Sequence, residues 1–121
     1  MRMELRKAID QAFAQALLEL QAQRASEALV WLERAHILSQ RHPLLHARSH
    51  WLMLRAGWQL GDGREVLGQV PRIVAALLFS RLWVPLGNTG RARVSALRPM
   101  PVPETLQVLL ASERKGRVPE G

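Results

Sequence analysis

The sequence predicts an all-α protein: a small bundle of about four main helices followed by an extended, Pro- and Gly-rich C-terminal arm. Three observations carry this. Apolar residues recur with a 3.6-residue period from the N-terminus onward, the periodic stretches are separated by short breakers at Pro43 and at Gly61-Asp62-Gly63, and the texture changes to turn and polyproline chemistry after Trp83.

The first helix is predicted over residues 3–23. Leu5, Ala8, Ile9, Ala12, Phe13, Ala16, Leu17 and Leu20 share one side, whereas Lys7, Asp10 and Gln11 lie elsewhere. Ser26 suits the N-cap of a second helix reaching about Arg41, where Pro43 prevents smooth continuation and opens a third. The second and third helices therefore form a tight antiparallel hairpin. The third spans residues 44–60 and stops at the two glycines. Asp62 followed by Glu65 resembles a capping box for a fourth helix, in which Gly68 and Pro71 predict a kink or a late start.

Gly87-Asn88-Thr89-Gly90 reads first as a tight turn and second as a backbone nest for an anion near Arg91 and Arg93. Arg98-Pro99-Met100-Pro101-Val102-Pro103 reads as extended. Leu86, Val94, Leu97 and Met100 are the candidate anchors of this arm, and a short helix over residues 104–112 follows. Residues 1–112, including the irregular arm at 83–103, make one domain, and 113–121 form a charged, frayed tail.

Composition narrows the function. The chain has 121 residues, 48% of them hydrophobic, which supports one modest core. With no cysteine, disulfides and thiolate metal sites are unavailable. The N-terminus lacks an uninterrupted apolar signal core, and the longest near-apolar run, residues 73–86, is broken by Arg81 and Pro85 and is too short to span a membrane. A cytoplasmic protein is expected. Net charge is +7, but the basic residues, nearly all Arg, are scattered from Arg2 to Arg117, which predicts weak polyanion adhesion and no specific nucleic-acid recognition. Trp51 and Trp58 share one flank of the third helix and are expected to pack on a neighbour. No Ser or Thr has a discernible His-acid partner, so nucleophilic catalysis has no support.

All four histidines fall in the hairpin, at His36, His42, His46 and His50. His46, His50, Met53 and Gly57 lie within about 60° on a helical wheel, opposite Arg48, Arg55 and Gln59. Two imidazoles one turn apart thus point inward, the spacing used when two His of one helix bind one metal. His36 shares its face with Leu29 and Leu32, and Glu33-Arg34-Ala35-His36 has the Glu-x-x-His spacing of di-metal bundles. Because the turn lies near His42, His36 and His50 meet across the hairpin. Glu33, His36, His46 and His50 then offer three nitrogens and a carboxylate to one divalent transition metal such as zinc. The alternative is a hydrogen-bonded network of the same histidines with Glu33 and Gln40.

Several ordered motifs also resemble a bacterial family catalogued as domain of unknown function 3703. They are Leu32-Glu33-Arg34-Ala35-His36-Ile37-Leu38, His46-x-x-x-His50-x-x-Met53-Leu54, Glu65-Val66-Leu67-Gly68-Gln69, Gly87-Asn88-Thr89-Gly90 with Val94-Ser95, and Arg98-Pro99-Met100-Pro101. The likeness spans residues 29–109. It implies that Glu33, His36, His46 and His50 belong to the family signature, and it brings no assigned activity. Arg91-Ala92-Arg93 departs from the Gly-Ala-Asn more typical there. A looser similarity, carried by Ala28, Leu32 and Ala35, is to tetratricopeptide-like hairpins. It implies a rival function, a module that binds another protein and uses its histidines structurally.

Overall fold

Leu5, Ile9, Ala12, Phe13, Ala16 and Leu20 repeat at helical spacing and are all buried, and they define the inner face of α1 (Met3–Gln21). The computed structural model describes residues 1–117, with side chains described through residue 111. Four further helices follow: α2 (Ala25–Ser39), α3 (Pro43–Leu60), α4 (Gly63–Phe79) and α5 (Glu104–Arg117). Each of the first four packs on its neighbours in sequence, and α5 returns to α1 and α2. No strand occurs among the described residues, and no helix among them is long and apolar enough to cross a membrane.

Local chemistry explains the boundaries. Gln23 takes a left-handed conformation (φ 60°), which reverses the chain early. The Arg24 carbonyl accepts from Ala28 N at 3.0 Å, so Ala25 begins α2 and is buried. Ser26 is therefore an exposed residue inside the helix and not its N-cap. Pro43 stands at the first turn of α3, where its missing N–H costs nothing. Gly61 closes that helix in the left-handed region (φ 68°), with Asp62 N donating to the Gly57 carbonyl at 2.9 Å. The Asp62 carboxylate then accepts from Glu65 N at 3.2 Å and caps α4. With this cap the helix starts at once at Gly63 and continues through Pro71 to Phe79. α5 reaches Arg117, five residues beyond its expected end; residues 118–121 of the expected tail lie outside the described residues.

The apolar core lies among α1, α2, α3 and α5. It contains Phe13, Leu32, Leu38, Leu52 and Leu106, each contributing roughly 1.5–3 kcal/mol by burial. Trp51 and Trp58 are not part of it. They are 52% and 76% exposed, because the inner face of α3 is taken by His46, His50, Met53 and Gly57 and the flank carrying both tryptophans turns to solvent.

Residues 84–103 have neither helix nor strand and are bonded to the C-terminal end of α2 and to α4. Polar bonds organise this stretch. Of the expected anchors, Leu97 is 72% and Leu86 37% exposed while Val94 and Met100 are half-buried; Asn88 is buried and donates through Nδ2 to the carbonyls of Ser95 and Arg98, each at 2.8 Å. Gln40 holds the segment from α2, donating to the Pro85 carbonyl at 3.1 Å and accepting from Gly87 N at 2.9 Å.

Candidate metal centre

α2 supplies His36, and α3 supplies His46 and His50 one turn apart, so the hairpin brings three imidazoles together in its interior. All three are buried. His46 Nε2 lies 3.0 Å from His36 Nε2 and 3.1 Å from His50 Nε2. Ring centroids are 4.7, 4.7 and 4.9 Å apart, which makes the arrangement a triangle.

The outward nitrogens fix the tautomers. His36 Nδ1 is 2.7 Å from the Asn88 carbonyl oxygen, which can only accept, so Nδ1 donates. His50 Nδ1 is 2.6 Å from Gln69 Oε1. The Gln69 amide is oriented by its other end, whose Nε2 donates to Glu65 Oε2 and to the Gly90 carbonyl, each at 2.9 Å, and to Met53 Sδ at 3.5 Å. His46 Nδ1 is 2.7 Å from Ser80 Oγ, and that hydroxyl gives its own proton to the Ala76 carbonyl, so it accepts from the imidazole. All three rings thus carry their proton on Nδ1 and turn bare Nε2 lone pairs toward one another.

Such an array repels itself unless a proton or a cation lies among the lone pairs. Protonation is opposed by the site itself. Desolvation pushes His46 down to about 4. Desolvation, reinforced by the neighbouring imidazoles, pushes His50 down to about 3 and His36 well below its ordinary value. Neutral imidazoles are the form that ligates a metal. Tetrahedral coordination at about 2.0–2.1 Å places ligand nitrogens about 3.3–3.4 Å apart, a few tenths of an ångström wider than here.

Among the described residues, this is the one group of three or more His, Asp or Glu side chains gathered closely enough to hold an ion, with ligand atoms within 4.8 Å of one another. Glu33, expected as a fourth ligand, stands apart from it. Its carboxylate lies 3.5 Å from Arg91, and burial raises its pKa while Arg91 works against that rise. Arg91 also pairs with buried Glu65, whose Oε2 accepts from Ala92 N at 2.7 Å. Glu65, Gln69 and His50 thus form a chain that reaches the cluster from α4. In place of side-chain bonds from Glu33 and Gln40, the network is built on Asn88, Ser80 and Gln69, because the Gln40 side chain is bonded to the loop and only its backbone acts on His46. His42 occupies the N-cap of α3, outside the cluster.

The Gly87–Gly90 loop is not an anion nest. Gly87 N is bonded to Gln40, Asn88 N to the Pro85 carbonyl at 2.9 Å, and Gly90 N to Asn88 Oδ1 at 2.9 Å, so these donors are spent. Its task is to hold an acceptor against His36. Gly90 is required twice over: its φ is +84°, and a Cβ there would stand 2.6 Å from His36 Cδ2.

The cluster opens on one side into a cavity of about 360 Å³, walled by Arg72, Ala75, Phe79, Trp83 and Leu97. A second cavity, about 400 Å³, lies between α2 and α5 against Ile37, Leu86, Val102 and Leu110, away from the three imidazoles. Sequence reasoning overlooked Ser80 and Arg72 altogether. Asn88 and Gln69 stood inside recognised motifs without a role.

Comparison with curated proteins and with solved structures returned no match. Residues 3–110 match the family described as protein of unknown function (DUF3703), and the chain belongs to that family.

Proposed function

We propose that this protein binds one divalent transition metal, zinc foremost, through the Nε2 atoms of His36, His46 and His50. The observation that carries the reading is that each Nδ1 stands within 2.6–2.7 Å of a separate oxygen while the Nε2 atoms face one another in a buried site, an arrangement that favours Nδ1–H tautomers with free Nε2 lone pairs. Metal-binding histidines commonly donate their other ring N–H to a carbonyl, carboxylate or similar acceptor, which orients the ring and raises its basicity. Three protein ligands leave a tetrahedral ion one further position, the pattern of an exchangeable site and not of a closed structural one. Glu33 acts in this reading through Arg91 and Glu65 and not as a ligand.

Elemental analysis of protein purified without an affinity tag tests the reading. About one equivalent of metal is expected, falling to a trace in a His46→Ala, His50→Ala double variant. A folded wild-type protein that retains no metal, and takes none up when zinc is added, overturns it.

A second reading, a module that binds another protein, is favoured by the outer side of α4, where Leu67, Val74 and Leu78 are all exposed. The two readings involve opposite sides of α4 and are compatible in one cytoplasmic protein.

A further inference from the structure

The cavity beside the three imidazoles has a charge imbalance that its own walls do not correct. Three neutral histidines would leave a bound divalent ion with its full charge, and Arg72 adds another, which buried Glu65, itself paired with Arg91, offsets only from outside the cavity. Among the described residues no Asp or Glu lines this cavity, and Arg72 makes no ion pair; its NH1 and NH2 donate to the carbonyls of Gly68 at 2.7 Å and Val94 at 2.8 Å. A guanidinium has five N–H donors, so this anchoring leaves capacity for a ligand. The other polar side chains on the wall are committed: Gln40 to the loop, Ser80 to His46 and Ala76, and Asn88 to Ser95, Arg98 and Gly90. The remaining surface is largely apolar, with Ala75, Phe79, Leu82, Leu97 and the indole ring of Trp83 contributing to it, and the Trp83 Nε1–H is its one further donor.

We propose that the fourth coordination position takes the carboxylate of a small monoanionic molecule with an apolar body. One carboxylate oxygen binds the ion, the charge of Arg72 favours the anion over a neutral isostere, and the apolar part fills the space toward Phe79, Trp83 and Leu97. The volume of about 360 Å³ equals the share of about twelve water molecules in the liquid. That suits an acid of roughly six to ten heavy atoms. A more highly charged anion finds only one cationic side chain on the wall, Arg72, so a monoanion is the better charge match. The inference rests on the metal reading above.

The test uses the whole protein loaded with cobalt(II), whose visible spectrum reports changes in coordination. Acetate, hexanoate and 1-hexanol are titrated in turn. Hexanoate is expected to change the spectrum and to bind at least about tenfold tighter than acetate, because its additional methylenes leave water. Hexanol is expected to leave the spectrum unchanged. An Ala75→Leu variant, altered in the wall and not at the ligands, should keep cobalt and lose the preference for hexanoate. Arg72→Gln should keep cobalt and weaken hexanoate about tenfold or more. Cobalt binding with equal affinity for acetate and hexanoate, or with an equal response to hexanol, overturns this inference and leaves the metal reading intact. Failure of the folded protein to bind cobalt overturns both.

Discussion

α1 and α4 are of similar length, yet they bury opposite chemistry. The inner face of α1 is wholly apolar, from Leu5 to Leu20, whereas α4 buries Glu65, Gln69 and Ala76 and leaves Leu67, Leu78 and much of its apolar surface in solvent. The α1 side is held by burial that needs no partner outside the chain and no particular protonation state. The α4 side commits buried space to polar groups that hold the outer nitrogens of the imidazoles, with Gln69 at His50 and Ser80, just after the helix, at His46. A helix that buries its polar residues and exposes its apolar ones is organised around what lies inside it. The same division separates the apolar core from the part of the molecule that encloses the three imidazoles.

The comparison breaks most visibly at Phe13. Phe13→Ala should cost about 3–5 kcal/mol in denaturant unfolding, through lost burial and a residual cavity, while the metal affinity of the folded fraction stays unchanged. A matching loss of metal affinity would mean that the two regions are not separable.

Acid should act on the other side. His46 and His50 have lowered pKa values in the folded protein, about 4 and about 3, against the usual 6.5 when unfolded, and His36 is shifted in the same direction. Below pH 6.5 the unfolded chain therefore binds protons that the folded chain refuses. The stability of metal-free protein should be flat above that pH and should fall below it, by up to about 1.4 kcal/mol per pH unit for each imidazole. The loss levels off once pH passes below the folded pKa values. Urea titrations at pH 7.5 and pH 5 check this, and a His46→Ala, His50→Ala variant should show a shallower dependence. An identical slope in that variant would place the acid sensitivity elsewhere.

Gly90→Ala couples the loop to the site. The positive φ and the approach to His36 predict a loss of about 1–3 kcal/mol together with weaker metal binding, since the ring must move. A loss of stability with unaltered affinity would show that the loop does not position His36. The subtlest change is Gln69→Leu, which removes the acceptor at His50 Nδ1 but retains much of the side-chain volume. Metal affinity measured by competition with a chelator should drop about 10–100-fold. An affinity within a factor of two of wild type would argue against a role for that hydrogen bond.

How much of this was legible in the sequence follows from which interactions are local. The inward phase of His46 and His50 is a property of one helix, and the approach of His36 needs only the Pro43 turn, so the three imidazoles can be brought together on paper. Glu33 illustrates the limit. Its i, i+3 spacing from His36 places it one turn away, but spacing says nothing of Arg91, which arrives from a distant loop to take the carboxylate. Asn88, Gln69 and Ser80 are likewise defined by tertiary contacts across 52, 19 and 34 residues. Periodicity placed the six apolar residues of α1 because that face meets one continuous core. It misplaced Trp51 and Trp58 because their flank of α3 has no helix against it, and large aromatic side chains do not by themselves create one.

The central claim is that three Nε2 atoms hold one divalent cation with a further position open. Zinc K-edge absorption fine structure of the zinc-loaded protein measures this directly. The account predicts about three imidazole nitrogens at about 2.0–2.1 Å and one additional light-atom ligand. The multiple-scattering signature of imidazole should be lost in the His46→Ala, His50→Ala variant. A shell of oxygens alone, or an imidazole signal that survives the double substitution, would contradict it.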